Sequence, residues 1–177
     1  MKKLVFPIAI AATLLFSAFT TFSSMNWKIA SGYSVKFTSP DPSGAFTSVK
    51  GDISFDPNDL ASAKFNVTVD VNSIATGNGM KNIKAKNETW FNTDKYPTIT
   101  FVSSKVTKTA SGYQVDGTLT MHGVAKQISI PFTFANNTFT GSFSVNRIEY
   151  GVGNDEGMNA HASNDLKIDL SVPVTKA

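Results

Sequence analysis

Beyond the first two dozen residues, apolar and polar positions alternate along almost the whole chain. Tyr33, Val35 and Phe37 form one odd-numbered apolar set, and Val49, Ile53 and Phe55 another. Phe46 falls out of phase with the second set, beside Gly44 and Gly51, which predicts a bulge there. The sharpest alternation sets Phe65, Val67, Val69 and Val71 against Asn66, Thr68 and Asp70. Ile99 and Phe101 follow Pro97, and Tyr113, Val115, Leu119 and Met121 come next. Ile128, Ile130, Phe132 and Phe134 continue the pattern, and Phe139, Phe143 and Val145 resume it after Asn136–Asn137–Thr138. Leu166, Ile168, Leu170, Val172 and Val174 close the chain. Period-two runs separated by turn residues predict about eight strands.

One connection carries no alternation: "SIATGNGMKNIKAKNETWFNTDKYP", after the third strand. Met80, Ile83 and Lys84 fall at helical spacing within it, which predicts a short helix over Met80 to Lys86, with Trp90 and Phe91 packing it down. No internal repeat, low-complexity block or linker interrupts the pattern, so a single domain is expected.

The fold class is therefore all-β. Eight sequential antiparallel strands, each with one apolar face, form a sandwich or close into a barrel. Closure removes the exposed edges that long strands otherwise present. An eight-stranded barrel is just wide enough to be filled by side chains or to hold one slender ligand. Strands of about ten residues give it a length of about 33 Å before tilt, a shape suited to a long, thin, apolar guest. Periodicity alone does not say which face points inward. An outer-membrane barrel turns its apolar face outward, which would fill this lumen with Asn66, Thr68, Asp70, Gln114, Asp116, Lys167 and Asp169. The long helical crossover and a chain end, "VTKA", without a terminal aromatic count against that arrangement.

The N-terminal stretch stands apart. Lys2 and Lys3 precede the apolar run "LVFPIAIAATLLFSAFTTF" and the small residues Ser23 and Ser24, the order of a secretory signal. The expectation is a signal peptide over 1–23, cleavage near Ser23 or Ser24, a domain over 24–177, and a periplasmic or secreted protein of the bacterial envelope. An uncleaved anchor is the alternative. Without Lys2 and Lys3 the chain carries 14 basic against 13 acidic residues, and no basic cluster suggests a nucleic-acid face. The chain has no cysteine, so neither disulfides nor a lipid-modified N-terminal cysteine support it.

Chemistry-bearing motifs are few. His122 and His161 are the only histidines, without metal-ligand spacing, and there is no nucleophile elbow or phosphate-binding glycine loop. Asp155, Glu156 and Asp165 lie near His161 between Gly153 and Asp165, where an acid–base or metal role competes with a solvated acidic loop; the loop reading is favoured because no cation-binding order is present. His122, beside Gly123, reads as a hydrogen-bonding strand terminator. No enzyme activity, cofactor or metal is expected. Arg147, at the end of an aromatic strand before a glycine-rich loop, either pairs with Glu149 at the surface or binds an anionic head group bidentately.

Several stretches together resemble the YceI-like family, exported lipocalin-like barrels associated with polyisoprenoid binding. They are "WKIASGYSVKF", "GAFTSVKGDISFDP", "SIATGNGMKNIKAKNETWFNTDKYPTITF", "GTLTMHGVAKQISIPF" and "RIEYGVG", in family order over nearly all of residues 27–174. The resemblance implies an eight-stranded antiparallel lipocalin-like barrel, one short helix after strand 3, and a long apolar lumen for a polyprenyl or quinone tail. It also implies that "LTMHG" marks a hairpin and no reaction. Departures from the family pattern are Ala30, Tyr33, Trp90 with Phe91, and Tyr150. On this reading Val35, Phe37, Phe55, Val67, Val69, Phe101, Leu119, Met121, Ile130, Phe132, Phe134, Phe143 and Leu170 line the ligand, and Arg147 meets its head group.

The expected partner is a long-chain isoprenoid lipid, with transient membrane contact during its transfer, no nucleic acid, and a monomer or homodimer. Each buried methylene contributes about 0.8 kcal/mol, so a long tail needs few polar anchors and leaves little chemical signature. The other readings are an envelope barrel of structural or stress-related role, its lumen filled by its own side chains, and an enzyme using the Asp155–His161 loop.

Overall fold

The apolar rows fall on one face of a continuous antiparallel sheet. In this computed structural model, which describes residues 25–153 and 161–177, the strands are β1 (Asn26–Ile29), β2 (Ser34–Thr38), β3 (Gly44–Phe46), β4 (Val49–Ser54), β5 (Lys64–Asp70) and β6 (Ile74–Ala75). Helix α1 (Gly79–Lys86) follows, then β7 (Thr98–Thr109), β8 (Gly112–Met121), β9 (Val124–Ala135), β10 (Thr138–Asn146) and β11 (Asp165–Lys176). The three early pairs β1/β2, β3/β4 and β5/β6 are each one barrel strand with a break, so the ring has eight staves. The pairing of β1 with β11 closes it. The expected helix after the third strand is α1. The segment read as a signal lies outside the described residues.

Each break has a local cause. Between β1 and β2 the chain kinks at Ser31–Gly32, and β11 stays paired across the kink, with Val174 opposite Ile29 and Leu170 opposite Val35. The Phe46 phase slip is the break between β3 and β4. There the Thr47 amide donates to Ser73 O and Oγ, and the Ser48 amide to Ser73 Oγ. The Tyr33 hydroxyl donates to Thr47 O at 2.9 Å and accepts from the Val49 amide at 3.1 Å, pinning the same break from the first stave.

Strand β7 runs eight residues past Phe101, further than alternation suggested, because a bulge between Ser103 and Lys105 shifts its parity. Phe101 pairs with Leu119 before the bulge and Val106 with Val115 after it, so both point inward. The Ser103 hydroxyl accepts the Phe65 amide at 2.8 Å, keeping that donor satisfied where the ladder is irregular. Two tight turns need left-handed backbone: His122–Gly123 joins β8 to β9, and Asn136–Asn137 joins β9 to β10, all four residues with positive φ. Two such residues in a row make the type I′ turn whose twist matches a hairpin.

The inward face carries the odd residues of β5 and β8 and the even residues of β9, while polar residues cover the outer wall. Outside, Asp116 accepts from Ser129 at 2.6 Å and Gln127 donates to Thr118 at 2.7 Å, both across the β8–β9 ladder. The hydrogen bonds that Asp116 accepts, from Ser129 first and then from Gln114 at 2.8 Å, hold its carboxyl below the ordinary pKa. An outer wall of this kind is the reverse of a lipid-facing one.

Candidate functional site

The lumen is not uniform along its axis. At the end where β1, β7, β8, β9 and β10 turn, seven rings meet. Phe55, 1% exposed, has Tyr113, Phe134, Phe139 and Phe132 at centroid distances of 5.1, 5.3, 5.4 and 5.6 Å. Phe65 stands 5.6 Å from Phe132, and Trp27 stands 5.3 Å edge-on to Phe134. The Trp27 indole N–H donates to Phe55 O at 2.9 Å, so its one polar atom is satisfied inside the cluster. This end of the barrel is solid.

Toward the other end the same inward rows stand apart and enclose a cavity of about 310 Å³. Phe65, Ile130, Phe132 and Phe139 form its floor, the upper surface of the aromatic plug. Its walls come from the seven staves other than β9: Val35 and Phe37 from β2, Phe46 from β3, Val67 and Val69 from β5, and Phe101 from β7. Leu119 and Met121 of β8, Phe143 of β10 and Leu170 of β11 complete them. The wall is almost entirely hydrocarbon.

Twelve of the fourteen residues read from the sequence as ligand contacts therefore line this cavity: Val35, Phe37, Val67, Val69, Phe101, Leu119, Met121, Ile130, Phe132, Phe143, Arg147 and Leu170. Phe55 and Phe134 do not, and that expectation is corrected. Both point inward, but at the level where ring meets ring and no space remains. Alternation identifies the inward face; it carries no information on height along the barrel.

The rim holds the polar groups. Asp41 and Pro42 of the β2–β3 loop, Lys81 and Lys84 of α1, Trp90 and His161 surround the entrance. Lys81 pairs with Asp41, joining helix to loop across it. The Asn78 side chain caps α1, accepting from the Met80 and Lys81 amides. Asn82 Oδ1 accepts from the Thr76 amide and hydroxyl at 2.9 and 2.8 Å, tying the helix to the end of β6. Phe91 does pack the region down, 6.1 Å from Phe46. Met80 and Ile83, the apolar residues at helical spacing, lie on its outer face.

Arg147 also departs from expectation. It is 2% exposed, and Glu149 pairs with Lys126 at 2.8 Å, not with it. Its Nε donates to Ser163 O at 3.0 Å, Nη1 to Val152 O at 2.9 Å, and Nη2 to Ala162 O at 3.1 Å and Asn164 Oδ1 at 2.8 Å. The guanidinium lies 4.8 Å from the Trp90 ring centroid. With these donors committed to the chain's own acceptors, Arg147 is a clasp that ties the segment after β10 to the segment before β11 at the rim. Gly153 is part of that clasp: its φ is +71°, and a Cβ there would stand 2.5 Å from Nη1.

Tyr150 is buried below the clasp, where burial, and then the negative charge of Glu149, push its phenol above the ordinary value. His122 sits in its turn with the Tyr96 ring 4.6 Å away. Trp90 Nε1 and His122 Nε2 are buried without a hydrogen-bond partner among the described residues. Of the acidic loop considered for chemistry, Asp155 and Glu156 lie outside the described residues. His161 is exposed at the rim, and Asp165 accepts from Asn146 at 2.8 Å. Among the described residues no three metal-ligating side chains gather. Sequence reasoning missed the rim contributions of Asp41, Lys81 and Lys84, because loops and crossovers carry no period. Phe46 and Ile74 were also missed, and the phase slip at Phe46 was the one signal that marked a wall residue there.

Comparison with known proteins gives this architecture relatives. A family model, the YceI-like domain, matches residues 16–174. The UPF0312 protein YE1254 of Yersinia enterocolitica is 34% identical over 87 residues, 49% of this chain and 45% of that protein. The matched stretch thus spans about half the length of that relative. The crystal structure of Burkholderia cenocepacia BcnA superposes with a TM-score of 0.72 at 31% identity, covering 81% of this chain and 96% of that one. A polyisoprenoid binding domain from Saccharophagus degradans, implicated in plant cell wall breakdown, shares the fold with a TM-score of 0.63 at 16% identity, covering 88% of this chain and all of that one. With the family model spanning the barrel from first stave to last, the chain belongs to the YceI-like family.

Proposed function

We propose that the protein holds the tail of a long isoprenoid-type lipid, a polyprenyl or quinone tail, in the open half of its barrel, and that it does so in the cell envelope after export. The observation that carries the reading is the cavity itself. It is lined almost entirely by hydrocarbon, carries polar groups at its rim, and is sized at the lower end of the roughly 300–1,000 Å³ of small-molecule sites. An apolar tail entering it exchanges water for hydrocarbon along its length, at about 25 cal/mol per Å² buried, and needs no polar anchor. A polar head stops at the rim, where Lys84 and His161 line the entrance. The polyisoprenoid binding of the Saccharophagus degradans domain supports the same class of guest. Export rests on the basic, apolar and small segments of residues 1–24 in signal order. Transport, storage and sequestration all use such a site.

The test is to purify the protein from its own cell envelope, extract it with organic solvent and identify the extract by mass spectrometry. A polyprenyl or quinone lipid in near-equimolar amount is expected. Protein that is repeatedly free of lipid and does not take up a polyprenyl probe contradicts the reading. Intact mass of the same sample tests export: a species lacking Lys2 and Lys3 is expected, and one retaining them means an anchor.

A further inference from the structure

Helix α1 inverts the pattern that governs the rest of the chain. Its inward side carries Asn82 and the half-buried Ala85, while Met80 and Ile83, three residues apart on the outer face, are 75% and 68% exposed. The remaining large exposed hydrophobic among the described residues is Val102, 51% exposed and alone on the outer wall. A helix at a water-facing surface ordinarily buries its Met and Ile and exposes its Asn. Here the reverse is built in, with Asn78 capping the start and Asn82 bonded to Thr76 beneath, so the orientation is fixed by specific contacts. The helix carries Lys81, Lys84 and Lys86 and no acidic residue. Lys81, Lys84 and Ala85 also line the cavity, so the helix stands at its entrance.

We propose that α1 seats the open end of the barrel on an anionic lipid bilayer, with Met80 and Ile83 entering the boundary between head groups and acyl chains and Lys84 and Lys86 meeting lipid phosphates. A bilayer fits the patch better than a folded protein partner does. Two apolar side chains fall far short of the roughly 1,200 Å² that a stable protein interface buries, whereas a short apolar wedge flanked by lysines gives reversible adsorption to an anionic surface. The advantage of docking rests on the lipid-holding reading: a water-insoluble tail then passes from the bilayer into the lumen without crossing water.

The chain has no cysteine, so single labels are clean. An environment-sensitive fluorophore is placed on Ile83→Cys at α1 and, separately, on Ala110→Cys in the turn between β7 and β8 at the solid end. Full-length chain, as it matures in the cell, is mixed with phosphatidylcholine vesicles with and without phosphatidylglycerol. The expected result is a blue shift and a several-fold rise in emission at position 83 with phosphatidylglycerol vesicles only, and none at 110. Lys84→Gln should weaken the response about fivefold. The unlabelled double variant Met80→Ser/Ile83→Ser should take up a polyprenyl probe from solution like wild type but load more slowly from vesicles.

Equal signals at 83 and 110, no dependence on anionic lipid, or unchanged vesicle loading by the double variant overturns the proposal. A chain that takes up probe from solution but gives no vesicle response at 83 refutes docking and leaves the lumen reading intact. A vesicle response at 83 in a chain that never binds probe supports docking and refutes the lumen reading.

Discussion

The two halves of the lumen are built from the same strands with the same alternation, yet one is solid and the other hollow. At the solid end the inward positions are occupied by Trp27, Phe55, Phe65, Tyr113, Phe132, Phe134 and Phe139, whose rings interlock mostly edge to face, with Tyr113 stacked on Phe132. At the hollow end Val35, Val67, Val69, Leu119 and Leu170 face a space their short side chains do not cross. The same strands and the same alternation make core at one level of the barrel and container at another. Stability and capacity are thus assigned to different ends of one sheet. The reading of a wholly side-chain-filled barrel describes one end only.

The difference makes the ends respond unequally to truncation. Phe55→Ala leaves a hole among five ring neighbours and should destabilise by about 3–5 kcal/mol. Phe101→Ala, a half-buried wall residue facing space already, should cost only about 1–2 kcal/mol. Denaturant unfolding of the two variants measures the asymmetry, and equal losses would erase the distinction between plug and container.

Arg147→Met tests the rim independently of both. The carbonyls of Val152, Ala162 and Ser163 lose their donor in a buried setting, at a cost of about 2–3 kcal/mol. Amide exchange should rise in residues 147–153 and 161–164 while the plug strands keep their protection. Exchange rising first around Trp27 and Phe55 would contradict the separation of the two ends.

Enlargement keeps the ranking for a different reason. Phe134→Trp overpacks the plug and should cost about 1–3 kcal/mol, whereas Val69→Trp has the cavity to enter and should cost less than about 1 kcal/mol. A further effect concerns the turn at the open end. Gly123→Ala places a Cβ at φ +77°, 2.7 Å from the Tyr96 ring, and should lower stability by about 1–2 kcal/mol without changing plug protection.

Much of this was legible in the sequence because a period of two reports directly on which side chains share a face. The eight staves, the helix after the third, the break signalled by Phe46, and eleven apolar residues that line the cavity follow from it and from the family resemblance. What stayed hidden has physical reasons. Height along the barrel is not periodic, so Phe55 and Phe134 read like Phe143 although they fill the plug. The bulge at Ser103–Lys105 changes parity mid-strand, which truncated the reading of β7 to Ile99 and Phe101. Arg147 looked like a head-group ligand because its acceptors are backbone carbonyls, and any residue supplies a carbonyl. Met80 and Ile83 matched helical spacing, but spacing places residues on one face without saying whether that face is turned to the core.

The central claim is that the hollow half takes an apolar guest and the solid half does not. Equilibrium titration of a fluorescent polyprenyl probe into wild type, Val69→Trp and Phe134→Trp tests it most directly. Saturable binding of one probe per wild-type chain is predicted, with affinity reduced by about tenfold or more in Val69→Trp and unchanged in folded Phe134→Trp, a difference of about 1.4 kcal/mol or more. Absence of saturable binding in wild type, or equal loss in the two tryptophan variants, would contradict it.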